Sequence, residues 1–388
     1  MSGSMRPPAC YRLRLPGPTE VPERVRQAVA RPVVNHRGPE FHATLAHAEA
    51  LIQPVLGTSN RVLLFAASGT GMMEAALVNT VAPGERLLIV CQGQFGERFA
   101  SIARVLRADV DTFDVPWGEA VDPAALALCA AQQDYRAIVL IHNESSTGIA
   151  TDLGAVGAAL RGNSALLIVD SVSGLGGIEM RQDEWGVDIV VSASQKALMC
   201  PPGLGLASVS GKAWQVINRP DRTPSFYWSF AKALAAMEKS ETAFTAPVNL
   251  VFGLCEALDM IHEEGLANVL ARHARLSAAL RAGGAALGLS SFGSSSNASN
   301  TVVAFTVPEG LDGGKIVRAL YEDHGSVIAG SRNRLSGRVI RIGTMGSLNE
   351  GTILTDLSHL EAALAGMGHR TTPGAGLVAA SAALHTGN

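Results

Sequence analysis

A lone lysine ends an apolar run in "VDIVVSASQKALMCPPGLG", residues 187–205. Lys196 is followed almost at once by a proline- and glycine-rich loop, and a lysine is rarely buried without a partner. Twenty-six residues earlier, "ALLIVDSVSGLGG" ends another apolar run with Asp170. A carboxylate there is costly unless it meets a cation or a protonated ring nitrogen. A third stretch, "LLFAASGTGMMEAAL", runs from a strand through Ser68-Gly69-Thr70-Gly71 into a helix. Its glycines permit close backbone approach, and the free N–H groups of a first helical turn form an anion site. A fourth, "IHNESSTG" (141–148), closes a strand with hydroxyls and an amide. Each has an ordinary reading: a surface lysine, a turn-making aspartate, a capping turn, a polar loop.

The elements that carry them change that reading. Short apolar runs at 62–66, 86–90, 137–141, 165–169, 188–192 and 204–209 alternate with amphipathic stretches such as 71–80, 95–106 and 153–160. Wholly apolar strands separated by helices predict a parallel sheet covered on both faces. Such sheets bind ligands at their carboxyl edge, where all four stretches fall. A phosphate cradle, an acid and a lysine at successive strand ends are what pyridoxal phosphate requires. The amine bonds the aldehyde, and the acid keeps the pyridine nitrogen protonated.

The chain has 388 residues, 47% hydrophobic and 17% charged, enough for two cores. The division expected is an N-terminal arm (1–20), a large domain (21–249), a smaller C-terminal α+β domain (250–368) and a mobile tail (369–388). Within the smaller domain, "APVNLVFGLCEALDMIHEEGLANVLARHARLSAALRAGGAAL" reads as one long helix or two joined ones. With 31 basic and 34 acidic residues and no basic block, a nucleic-acid partner has no electrostatic support. Five scattered cysteines, Cys10, Cys91, Cys129, Cys200 and Cys255, form no C-x-x-C pair and predict reduced thiols. No apolar signal core or eighteen-residue apolar run is present, so a soluble cytoplasmic protein is expected, with no membrane association. "MSGSM" reads as a possible cloning remnant. His42, His47 and "IHEEG" do not make a zinc pattern.

Together "SGTG", "NESSTG", "VDSVSGLGG" and "SASQKALMCPPG" resemble the class V aminotransferases of fold type I. The nearest branch is the serine/alanine–glyoxylate (serine–pyruvate) aminotransferases. "LPGPTEVPERV", "HRGPEF", "TAPVNL" and "RVIRIGTMG" continue the resemblance over about residues 12–365. It implies an α/β fold with a mostly parallel seven-stranded sheet between helices, pyridoxal 5'-phosphate as cofactor, and a homodimer with shared sites. Carried over by position, Lys196 matches the lysine joined to the cofactor and Asp170 the partner of its ring nitrogen. Ser68, Gly69, Thr70 and Gln195 match the phosphate cradle, and Thr245 a phosphate ligand reaching across from the second subunit. Ser146 matches a hydroxyl near the ring and the substrate. Arg341 matches the arginine that grips the substrate carboxylate, for which a planar fork is suited, and Gly17 lies on the segment nearest the substrate.

Two positions depart from that branch: Phe95 stands where a tryptophan commonly stacks on the ring, and Thr242 where a tyrosine sometimes binds phosphate. The implied reaction is ping-pong transfer of an amino group from serine or alanine to glyoxylate or pyruvate. A cysteine desulfurase or related lyase shares the fold but carries histidines where this chain has Gln195 and Phe95. Its loop cysteine is also missing from "IAGSRNRLSGR". A cofactor-free scaffold is opposed by the retention of both Asp170 and Lys196.

Overall fold

The computed structural model describes residues 11–221, 223–293 and 296–385. Cys10, the "MSGSM" start and the last three residues of the expected tail lie outside them. Seven strands form the main sheet, in the order Val62–Ala67, Gly203–Val209, Ile189–Ala193, Leu166–Asp170, Ala137–Ile141, Arg86–Cys91, Asp109–Asp114. Only Gly203–Val209 runs antiparallel to its neighbours. The fold is therefore the expected α/β arrangement. Asp109–Asp114 has no counterpart among the six apolar runs. It is a half-buried edge strand in which Asp109, Asp111 and Asp114 interrupt Val110, Thr112 and Phe113, so it lacks the continuous apolar run of the buried strands.

The helices Gly69–Thr80 and Gln94–Val105 pack on the sheet and start at its carboxyl edge. Ser68 caps the first of them, its hydroxyl accepting from Gly71 N at 3.1 Å. The stretch after Thr245 is two helices, Val248–Glu264 and Leu266–Ala286, broken at Gly265, whose φ of 85° favours glycine. The first of the two packs on Glu23–Val29 and Pro39–Leu56 and buries Phe252, Leu254 and Leu258 in the core of the large sheet. The apolar cluster of the smaller unit begins further on, at Leu276. It covers an antiparallel sheet ordered Ser290–Ser291, Val302–Thr306, Val339–Gly343, Ala329–Gly330.

The expected mobile tail needs correction. Residues Ala375–His385 form a helix packed on Leu266–Ala286 and Glu350–Gly366, with Ala380 and Leu384 buried. Its alanine-rich sequence has high helix propensity but small side chains, so its apolar face was faint in the sequence. Among the described residues no helix is long and apolar enough to cross a membrane.

The N-terminal arm ties the two units together. Arg12–Leu13 pairs with Ser326–Val327, and Gly343 N donates to Arg14 O at 2.8 Å. The Arg14 guanidinium meets Asp356 at 3.1 Å, both almost wholly buried. Burial pushes the Asp356 carboxyl up to about 6, against the pull of Arg14 and Arg12. Further along, Thr19 N donates to Gln195 O at 3.1 Å and its hydroxyl to Lys196 O at 3.0 Å. One strap thus touches both the small sheet and the lysine loop.

Candidate active site

Leu166–Asp170 and Ile189–Ala193 are neighbouring parallel strands with Asp170 opposite Val191, so Asp170 and the loop carrying Lys196 emerge at the same edge. The loop is held by Cys200 N to Ser194 O at 3.1 Å and by the Ser194 hydroxyl to Pro201 O at 2.6 Å. Asp170, Lys196 and Gln195 line one cavity of about 190 Å³ together with Ser68, Gly69, Thr70 and Phe95. These residues, distant in sequence, are brought together.

The Asp170 carboxylate accepts from Val172 N at 2.7 Å. Burial pushes it up to about 7; Glu144 adds to the rise, while Val172 N–H, Lys196 and Arg98 oppose it. Burial also lowers the Lys196 amine to about 8, helped by Arg341 and Arg98 and opposed by Asp170. Its Nζ donates to Pro16 O on the arm. A Cβ on Gly17, whose φ is 104°, would lie 2.6 Å from Lys196 Cε, so only glycine lets the backbone pass here.

An outer chamber of about 270 Å³ continues from the first, sharing Phe95, Arg98, Ser145 and Lys196. Gly17 and Arg341 stand on its wall. The Arg341 guanidinium donates to Ser145 O and Gly330 O, both at 2.8 Å, and its Nε is buried without a partner among the described residues. Two acceptor-bearing side chains on the inner cavity share that condition: Gln195 Oε1 and Asn143 Oδ1 are buried and unpartnered.

Two expected residues are placed elsewhere. Ser146 is not on either wall: its hydroxyl donates to Glu144 Oε1 at 2.5 Å and accepts from Gln94 N at 3.0 Å. Its neighbour Ser145 faces the cavity instead, because the segment turns sharply after Asn143–Glu144, which pairs back with Ile149–Ala150. Thr245 lies outside this cavity, exposed beside Phe244 and Tyr227. Thr242 turns its hydroxyl to Phe244 O at 2.6 Å.

Sequence reasoning passed over several residues. Glu144 is wholly buried, and accepts from Phe95 N at 3.0 Å and Gly96 N at 3.3 Å as well as from Ser146. With Ser146 it satisfies the first N–H groups of Gln94–Val105, whose own N-cap, Gly93, offers no side chain. Burial still raises the Glu144 carboxyl above its ordinary range. Arg98 donates to Thr70 Oγ1 at 3.0 Å and its guanidinium lies 4.6 Å from the centre of the Phe95 ring. Its position three after Phe95, on the same helix face, was the available signal. Val172 also lines the cavity.

The aminotransferase class-V family description matches residues 19–342. The chain is 37% identical to the serine–glyoxylate aminotransferase of Methylorubrum extorquens, over 98% of this chain and 97% of that one. It is 38% identical, over 96% and 98%, to a protein of Synechococcus sp. named soluble hydrogenase, small subunit. The crystal structure of ureidoglycine–glyoxylate aminotransferase from Bacillus subtilis superposes with a TM-score of 0.90 at 30% identity, covering 98% of this chain and 99% of that one. With Lys196, Asp170 and the Ser68–Thr70 turn on one cavity and the family match over most of its length, this chain belongs to the class V aminotransferases.

Proposed function

We propose that this chain is a pyridoxal 5'-phosphate-dependent transaminase that moves the amino group of a small amino acid, serine or alanine, to glyoxylate or pyruvate by a ping-pong mechanism. The observation that carries this reading is the convergence of Lys196, Asp170, Gln195 and the Ser68–Thr70 helix start on one cavity. The residues fit the cofactor. The start of Gly69–Thr80 offers N–H groups to a phosphate, Phe95 and Val172 offer apolar surface to a ring, and the unpartnered amide oxygens of Gln195 and Asn143 show polar capacity unused by the protein.

When bound, pyridoxal phosphate supplies a conjugated, protonated ring that spreads the negative charge left on the substrate Cα. Asp170 gives that ring nitrogen an anionic partner. Arg341 holds the substrate carboxylate with the N–H groups its two carbonyl contacts leave over. Lys196, with an amine lowered to about 8, has an appreciable unprotonated fraction near neutral pH. It takes a proton from the substrate Cα and returns one later. The cavity walls and the arm limit water access while it does so.

A homodimer belongs to this reading. Thr245 is exposed and away from its own chain's cavity, where it is free to serve a second copy, and the exposed Phe226 and Tyr227 stand beside it. Free thiols at Cys91, Cys129, Cys200 and Cys255 suit a reducing cytoplasm. The test is the absorbance of the purified protein before and after borohydride, with peptide mass spectrometry and a donor panel against glyoxylate, pyruvate and 2-oxoglutarate. A visible band, lost on reduction with the adduct on the Lys196 peptide, is expected. No band and no adduct overturns the cofactor assignment.

A further inference from the structure

Glu144 is wholly buried, lines neither chamber, and is used by no step of the reaction above. A carboxylate taken out of water is costly unless a cation or hydrogen bonds hold it. Here hydrogen bonds do so, with no cation among the groups that bond it. Oε2 accepts from Phe95 N and Gly96 N, and Oε1 from Ser146 N and the Ser146 hydroxyl. Two donors on each oxygen suit the anion, and the positive end of Gln94–Val105 adds to that. Gly93 makes the room: a Cβ at this N-cap would lie 2.5 Å from Glu144 Cδ. The acid in the helix's own first turn, Glu97, is paired with Arg334 instead.

The pinned helix start carries groups that face both chambers. Phe95, whose own N–H is held by Glu144, lines both, and so does Arg98, which reaches Thr70 of the phosphate turn. On its other side Glu144 adjoins the carboxylate site, because Arg341 donates to the carbonyl of the next residue, Ser145. Glu144 favours the charge of Arg341, whereas burial and the neighbouring Arg332 disfavour it. An anion behind the wall thus partly answers Arg341 before any substrate carboxylate arrives. We propose that Glu144 is a positioning residue of this site, resting on the aminotransferase reading above. Its carboxylate pins the helix start that presents Phe95 and Arg98, and its charge moderates the hold of Arg341 on carboxylates.

The experiment separates charge from reach in the holoenzyme. Glu144→Gln keeps the shape and removes the charge, whereas Glu144→Asp keeps the charge and falls one carbon short of the helix start. Turnover of alanine with glyoxylate, inhibition by acetate as an unreactive competitor, and amide hydrogen exchange across residues 94–98 are measured. In E144Q an NH2 group faces two donors, so kcat should fall about tenfold while acetate binds about threefold more tightly. In E144D kcat should fall by a similar factor with acetate inhibition within about twofold of wild type. Both should exchange the Phe95 and Gly96 amides faster. Acetate bound more weakly in E144Q is the mark of structural damage alone and overturns the charge role. Normal kcat and exchange in both variants overturn the positioning role. Should neither variant fold, Ser146→Ala, which frees Gln94 N and one Glu144 oxygen, should lower kcat and leave acetate inhibition unchanged. A normal kcat there overturns the proposal. If wild type reacts with no donor, the aminotransferase reading fails, whereas the exchange result is independent of it.

Discussion

The inner and outer chambers of this site are built by different means. The inner one is the carboxyl edge of a rigid parallel sheet: Asp170, the lysine loop and the Ser68–Thr70 turn each follow a strand whose neighbours fix it. The outer one is assembled from the arm, the start of Gln94–Val105, the loop at Ser145 and the small-sheet segment Ala329–Arg341. Its groups depend on contacts across long sequence separations, such as Arg341 to Ser145 O. A sheet edge places a few groups firmly and suits chemistry common to a family. A seam between units is free to vary, and suits the choice of substrate.

That contrast can be broken by experiment, and the largest effect belongs to the inner chamber. Lys196→Ala should cut turnover by about four orders of magnitude or more with every donor, with circular dichroism and melting close to wild type. Retained turnover would remove the lysine from the chemistry. The seam is next: Gly17→Ala places a methyl against the Lys196 side chain at a φ of 104°. The lysine must shift, and kcat should drop about a hundredfold while the protein stays folded. A variant with normal kcat would show that the arm's closeness to the lysine is incidental.

The smallest effect is electrostatic. In cofactor-stripped protein, the rate of addition of pyridoxal to Lys196 should rise with pH through an inflection near pH 8 and level off above it, because burial lowers the amine from its usual 10.5 to about 8. Asp170 opposes that lowering, so Asp170→Asn should move the inflection further down. An inflection above pH 10 would mean the amine is solvated. These inner changes act on turnover itself, whereas Arg341→Ala on the outer wall should act chiefly through a higher KM for carboxylate substrates, and an unchanged KM would place the carboxylate elsewhere.

The sequence exposed the inner chamber unevenly. Lys196, Asp170 and Ser68 end apolar runs, so their polarity stood out against a pattern. Asp109–Asp114 escaped notice because an edge strand needs no apolar run. Within "IHNESSTG" the residue types were visible but their directions were not. Ser146 was assigned to the cavity, and the hairpin at Asn143–Glu144 turns it to Glu144 and gives the wall to Ser145. Burial of Glu144 depends on how a helix start meets a loop about fifty residues away, which periodicity does not encode, whereas Arg98 over Phe95, three residues apart on one helix, was open to it.

By itself, then, the sequence determined the strand and helix order and the kinds of group at the sheet edge, because hydrophobic periodicity and chain direction are local properties. Tertiary structure decided which of those groups share a cavity, how far burial moves Asp170 and Lys196, and that Arg332 faces the chamber while Arg334 is spent on Glu97. Those outcomes follow from contacts between residues far apart in the chain, and desolvation and charge pairing exist only once the contacts form.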